Sequence, residues 1–355
     1  MPSSSSFLST IDFSLDVGSI NIPKSKEYVT NSNGQILHVR TWNALSHTQA
    51  KPKAIVFFLH GYSSHCNRPT HQYLAKEFND NDIVYITLDF HGHGYSDGVR
   101  ALVASYVDLV DDFVSLLLAV YSNWNADPDQ NYNILQNYDK SVPFFIVGHS
   151  MGGAIAILAA NFLTQSTFSQ REINSTAIKW KEICAAFKGC LLFCPAVFVD
   201  QPPFFVRLLM TYVLVPLFPE TEIPSGFTSL SDHSLVWESA DYYRYVKADT
   251  PPAGLSWGGN LRFQTGLALL NAADEVKASI NKMTFPFVVF HDPDDKVCRV
   301  QGSEMLIMES KLVKEDDKEI VRVVGGRHDL IANRLEDMAK LSVDWINKRL
   351  LINVI

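Results

Sequence analysis

The chain has 355 residues, with 30 Lys and Arg against 38 Asp and Glu, a formal charge of -8, 47% apolar residues and 19% charged ones. With 22 Phe and 13 Tyr it is too apolar and aromatic to be disordered, and 18 Gly and 16 Pro are too few for a collagen-like or low-complexity chain. The acidic balance and the lack of any Lys/Arg run disfavour a nucleic-acid partner, and the length suits one large α/β domain with an insertion or two modest domains.

Met1 to Ile22 is Ser-rich and lacks both a basic start and a continuous apolar run, so no secretory signal is expected, and residues 1–25 are read as a flexible leader. Cys66, Cys184, Cys190, Cys194 and Cys298 are odd in number and form no CxxC pair, which predicts reduced thiols in a cytoplasmic protein. The sequon Asn174-Ser175-Thr176 is then a chance occurrence. Glu27 to Thr30 and Gln35 to Trp42 alternate around Ser32-Asn33-Gly34, predicting a β-hairpin. Ala54 to Leu59 and Ile83 to Leu88 are short apolar runs of the kind buried on both faces of a parallel sheet, with a helix from Gln72 to Phe78 between them. A helix from Ala104 to Tyr121, a strand Pro143 to Val147, a helix Gly152 to Leu163 and a strand Gly189 to Cys194 continue the alternation.

The alternation resumes with strands Pro286 to Phe290 and Glu319 to Val324, a helix Ser303 to Ser310 between them, and a closing amphipathic helix Leu330 to Arg349. A mostly parallel sheet with helices on both faces follows, formed by residues 26–195 and 285–355. Residues 196–284 break the rhythm with aromatics, prolines and helical patches such as Leu261 to Asn271, and are expected to form an inserted cap. An Asn-rich loop from Asn123 to Lys140 and a surface helix within Gln165 to Lys188 are further expected additions. In the cap, Phe204 to Phe218 is interrupted by Arg207 and Pro216 and is shorter than the ~20 residues a spanning helix needs, yet it holds too many apolar side chains for one stripe. Part of it is therefore expected to lie exposed and rest on a bilayer, the alternative being a helix buried against the core.

Gly148-His149-Ser150-Met151-Gly152 is a GxSxG pattern between an apolar strand and a small-residue helix. Glycines flank a nucleophile there because the strand-to-helix turn is sharp and side chains would collide with neighbouring strands. The helix N-terminus beneath Ser150 favours developing negative charge. His60-Gly61-Tyr62 ends the first parallel strand, and the Tyr62 amide can pair with that of Met151 as an oxyanion hole. His91 and His93 lie in a Gly-rich turn with no expected metal, and His149 is expected to pack locally. His328 follows the last strand through Gly325-Gly326-Arg327 and opens the last helix, the place for a general base. The orienting acid should end the preceding strand, where Asp295 is preferred, Asp294 is next and Asp292 shapes the turn. The chain order Ser, Asp, His is that of the α/β-hydrolase fold.

His60-Gly61, Leu88 to Gly98, Gly148 to Gly153, Gly266-Leu267-Ala268-Leu269-Leu270 and Asp295-Lys296-Val297-Cys298 together resemble the monoglyceride lipase and lysophospholipase group of the α/β-hydrolases, over roughly Lys26 to Arg349. The resemblance implies a Ser150–Asp295–His328 triad, an oxyanion hole of Tyr62 and Met151, and a cap forming an apolar tunnel for an acyl chain. It supports Asp295, since that group's acid stands three residues before a cysteine. It also implies substrate-binding positions. A glutamate and an arginine after the first oxyanion residue, with a histidine beyond the base, line the glycerol pocket of the animal enzymes; here they read Ser64, Arg68 and Ile331, and only the arginine persists. Cys298, Leu209 and Leu214 complete the expected substrate-binding set. Cys298 is expected at the pocket edge within reach of small electrophiles, against the plainer expectation of a packing residue.

The expected activity is hydrolysis of monoacylglycerols through an acyl-enzyme, with no metal or organic cofactor. The alternatives are a lysophospholipase or general carboxylesterase, and more remotely a non-catalytic small-ligand receptor on the same fold. The expected location is the cytoplasm, with possible peripheral membrane contact through the cap.

Overall fold

A computed structural model describes residues 27–43, 51–122, 138–165, 180–226, 232–252 and 254–352. The leader, the sequon, residues 123–137 of the Asn-rich stretch and residues 166–179 lie outside them. Eight strands form one sheet in the order β1-β2-β4-β3-β5-β6-β7-β8. They are β1 (Glu27–Thr30), β2 (Ile36–Trp42), β3 (Ala54–Leu59), β4 (Ile83–Leu88), β5 (Phe144–His149), β6 (Phe187–Phe193), β7 (Phe287–His291) and β8 (Lys318–Arg322). The β1–β2 and β2–β4 pairs are antiparallel and the remaining pairs parallel. The hairpin thus supplies the antiparallel edge that its sequence predicts.

The central strands are buried on both faces, and the period of two divides their side chains. Ile55, Phe57 and Leu59 of β3 join Val84, Ile86 and Leu88 of β4 in one apolar layer, while Val56, Phe58, Ile83 and Tyr85 point into the other. Helices α1 (Pro69–Asn79) and α10 (Leu335–Ile352) pack against each other over the second layer. The first layer is covered by α2 (Tyr106–Ser122), α3 (Met151–Thr164), α7 (Phe263–Ser279) and α8 (Val300–Glu309). Within Gln165 to Lys188, the described part holds only the short α4 (Trp180–Ala186) and the start of β6.

Two elements differ from expectation. The segment placed as one insertion, 196–284, is divided: α7 packs on α2 and α3, and Ala268, Ala272, Val276, Ile280 and Met283 belong to the main core. That face is buried by the sheet layer, so α7 is a framework helix. Upstream of it, α5 (Phe204–Leu209) runs through a π-helical turn (Met210–Leu214) to Val215–Leu217, and α6 (Ala240–Ala248) follows. The closing helix is also divided, into α9 (Leu330–Asn333) and α10, because Arg334 leaves helical geometry. The Asn333 amide donates to the carbonyls of Val236 and Gly326, so the short first turn ties down the loop before it.

Candidate active site

Ser150 stands between β5 and α3 with φ +53°, a strained conformation for a residue with a side chain. Neighbouring backbone holds it there: its amide donates to Phe193 O at 3.0 Å, and its carbonyl accepts from Gly153 and Ala196 at 2.9 and 3.0 Å. The turn demands its glycines. A Cβ on Gly152 would lie 2.0 Å from Leu59 O, and one on Gly148 would lie 2.3 Å from Gly152 O. The GxSxG spacing is thus a steric requirement of a helix start pressed against the end of β3.

The Ser150 hydroxyl donates to His328 Nε2 at 2.8 Å, and His328 Nδ1 donates to Asp295 Oδ2 at 2.8 Å. Asp295 Oδ1 accepts the amides of Val297 and Cys298, and Oδ2 also lies 3.4 Å from His291 Nε2. Burial works against the charge on Asp295, yet His328 and His291 prevail and hold its carboxyl well below the usual carboxylate range. Asp294 is exposed and Asp292 is buried. Asp292 accepts from the amides of Asp294 at 3.0 Å and Arg327 at 2.5 Å, tying the β7 turn to the loop that carries His328.

That loop is braced from two further sides. His149 Nε2 donates to the His328 carbonyl at 3.1 Å, so this residue does more than the local packing expected of it. The stretch 233–238 lies along the loop, with His328 N and Asp329 N donating to Leu235 O and Val236 O and the Trp237 indole donating to Asp329 Oδ2 at 2.9 Å. No spacing rule exposes these contacts in the sequence.

Gly61 approaches closely enough that a Cβ there would meet His149 Nδ1 and Ser150 Cβ, which brings the Tyr62 loop beside the serine. His60 fastens this loop. Its Nδ1 donates to Gly61 O at 2.8 Å and its Nε2 accepts from Phe90 N at 3.1 Å, an arrangement only the neutral ring satisfies. Burial accordingly pulls its pKa down to about 4. Asp89 continues the brace: its carboxylate accepts from the amides of Cys66 at 2.6 Å and Tyr95 at 2.9 Å and from His38 Nδ1. Met151 opens α3, where amides have no acceptor within the helix.

The remaining expected substrate-binding residues are dispersed. Arg68 is buried and donates to Ser63 O at 3.4 Å and Ser256 Oγ at 3.2 Å. Ser256 in turn donates to Asp249 Oδ2, which also lies 2.6 Å from His65 Nε2. Arg68 is therefore tied into a polar cluster that joins the Tyr62 loop to residues 249–257, a role its spacing does not reveal. Ser64 is half-buried, and its amide donates to Gly61 O. Ile331 sits in the second apolar layer with Leu335 and Met338. Leu209 is exposed on α5 and Leu214 is half-buried. Cys298 touches the Ser150 side chain but is only 2% exposed, and burial together with Asp295 pushes its thiol well up. That corrects the expectation of a thiol open to small electrophiles: Cys298 lies in a small apolar cluster with Val236 and Val297, against which Ala196, Val199, Leu235 and Trp237 pack.

An elbow serine, an imidazole and a buried carboxylate in hydrogen-bonded series can perform acyl transfer. The family model described as "Serine aminopeptidase, S33", a group of hydrolases, matches residues 50–334. The chain belongs to that family. It is 27% identical to the monoglyceride lipase of Rattus norvegicus over 312 residues, spanning 87% of this chain and 86% of the rat protein. It is 23% identical to the caffeoylshikimate esterase of Arabidopsis thaliana over 335 residues, spanning 92% and 86%. Among solved structures, a soluble variant of the Saccharomyces cerevisiae monoglyceride lipase, in complex with a substrate analogue, superposes with a TM-score of 0.64 at 18% identity, covering 92% of this chain and 96% of that one. The Paleococcus ferrophilus monoacylglycerol lipase gives 0.63 at 18% identity, covering 88% and 99%. These likenesses establish the α/β-hydrolase fold.

Proposed function

We propose that this chain is a serine hydrolase that cleaves monoacylglycerols to fatty acid and glycerol. Ser150 is the nucleophile, His328 the base, Asp295 its orienting partner, and the Tyr62 and Met151 amides form the oxyanion hole. The observation that carries the reading is the unbroken hydrogen-bonded line from Ser150 Oγ through His328 to Asp295 at the strained elbow. The serine oxygen attacks the ester carbonyl as His328 Nε2 takes its proton, and charge on the carbonyl oxygen is met by the Tyr62 amide from the loop after β3 and the Met151 amide at the head of α3. His328 then gives the proton to the departing glycerol oxygen. Water, deprotonated by the same nitrogen, releases the fatty acid from Ser150. Asp295 stays charged throughout and stabilises the imidazolium.

The substrate class is supported by monoglyceride lipases that match most of this chain and most of their own length. In this reading residues upstream of α7, about 196–262, form the cap. Phe204, Phe205, Tyr212 and Leu217 are 65–78% exposed and meet the bilayer that supplies the substrate. No helix among the described residues is long and apolar enough to cross a membrane.

One observation favours a second reading on the alcohol side. Arg68 is buried with its Nη2 donating to Ser63 and Ser256, and Ile331 is packed in the core, so neither stands open to a glycerol hydroxyl. An esterase of other alcohols, including a lysophospholipase or carboxylesterase, fits that arrangement. The test compares kcat/KM for a monoacylglycerol, lysophosphatidylcholine and a short p-nitrophenyl ester. A preference of roughly tenfold or more for the monoacylglycerol, about 1.4 kcal/mol in the transition state, is the expected result; an equal or larger value for lysophosphatidylcholine selects the second reading.

A further inference from the structure

Beside His328 and Asp295 lies a thiol that the hydrolytic mechanism does not use. Cys194 ends the β6 crossing next to the serine elbow, and its Sγ, a carboxylate oxygen of Asp295 and a ring nitrogen of His328 all lie within 4.8 Å of one another. All three residues are buried. Cys194 Sγ contacts Arg327 O at 3.7 Å, and the thiol also meets the Asp295 carboxylate and the Asp292 backbone. Asp295 Oδ1 is committed to two backbone amides, while Oδ2 makes no backbone bond and faces His328 Nδ1 at 2.8 Å and His291 Nε2 at 3.4 Å.

We propose that Cys194, Asp295 and His328 form an inhibitory binding site for a thiophilic divalent cation, with Zn2+ as the fitting ion. Thiolate, imidazole and carboxylate are the ligand types zinc takes, at about 2.3, 2.0 and 2.0 Å, which sets ligand atoms roughly 3.3–3.7 Å apart in a tetrahedral site. The present cluster reaches that by opening the 2.8 Å Asp295–His328 bond by less than about 1 Å and drawing in the thiol, whose Sγ lies within 4.8 Å of both partners. The fourth position is left for water. The proton balance is simple. The Cys194 S–H bond breaks and its proton goes to solvent. Zinc takes the Nδ1 lone pair, and the proton formerly on Nδ1 passes through solvent to Nε2, so one proton is released per ion and nothing is oxidised or reduced.

The consequence for catalysis follows from the tautomer. With Nε2 protonated, His328 donates towards Ser150 and can no longer take its proton, so a bound ion switches the enzyme off without touching the serine. A second buried set, His38, Cys66 and Asp89, has the same ligand types but not the same freedom. Asp89 spends both oxygens on the amides of Cys66 and Tyr95, and those bonds hold the oxyanion loop.

Only the inhibitory effect rests on the hydrolase reading, so the experiment has one arm for each. Wild type, Cys194→Ala, Cys194→Ser and Cys66→Ala are titrated with ZnCl2 while ester hydrolysis is followed, then treated with EDTA. The same proteins are titrated with Co2+, watching for sulfur-to-cobalt charge-transfer absorption in the near ultraviolet. The expected result is reversible inhibition of wild type and Cys66→Ala, a charge-transfer band in both, and normal basal hydrolysis by both Cys194 variants. Their Zn2+ inhibition constant should rise at least the roughly 10–100-fold that loss of even an outer partner costs a metal site. Inhibition that is absent in wild type, or equal in wild type and the Cys194 variants, overturns the proposal. A band that depends on Cys194 in a protein with no hydrolytic activity would retain the site and sink the hydrolase reading instead.

Discussion

His60 shows how one buried side chain serves the chemistry without touching substrate. Its two ring nitrogens join the Gly61 carbonyl to the Phe90 amide, and both bonds require the neutral ring. Its folded pKa, about 4, lies below the ordinary histidine value of 6.5. The unfolded chain therefore binds more protons between those values, and stability falls as pH drops from 6.5 to 4, by up to about 3 kcal/mol from this group. The urea midpoint should decline over that window in wild type and decline less in His60→Gln. A wild-type midpoint unchanged from pH 7 to 4.5 would contradict the assignment. At this scale the hydrogen-bonded line of Ser150, His328 and Asp295 was legible, because each residue follows a strand and has a distinctive neighbour. Arg68 was not: its partners Ser256 and Asp249 lie far along the chain, and no local pattern shows that a buried polar cluster will claim it.

At the scale of elements, the turn from β5 into α3 is the most constrained feature. Adding a methyl group at Gly152 would press it against the Leu59 carbonyl, where β3 gives way to the oxyanion loop. Gly152→Ala should therefore cost about 3 kcal/mol, at the upper end of overpacking effects, and lower kcat together with stability. Wild-type values of both the urea midpoint and kcat would show that the turn has room the geometry denies. The strands were readable because β3 and β4 are apolar on both faces, and their period-two division between two layers follows from parallel pairing. The status of α7 was not. Its small and apolar residues suit a cap helix or a sheet helix equally, and only packing on α2 and α3 decides between them.

For the whole molecule, the apolar side chains of α5 lie on a chain with a net charge of -8. Attraction to anionic lipid should be weak, so binding to zwitterionic vesicles must come from buried apolar area. Phe204→Asp combined with Leu217→Asp should reduce co-sedimentation with phosphatidylcholine vesicles roughly tenfold or more while leaving hydrolysis of a short soluble ester unchanged. Undiminished co-sedimentation would mean that the stretch from Phe204 to Leu217 does not carry the contact. The account as a whole depends on Ser150 as the attacking atom. Fatty-acid release from a monoacylglycerol by purified wild type and Ser150→Ala tests this most directly. The account predicts turnover by wild type and a loss of roughly a thousandfold or more in kcat for the folded variant; equal rates for the two proteins would contradict it.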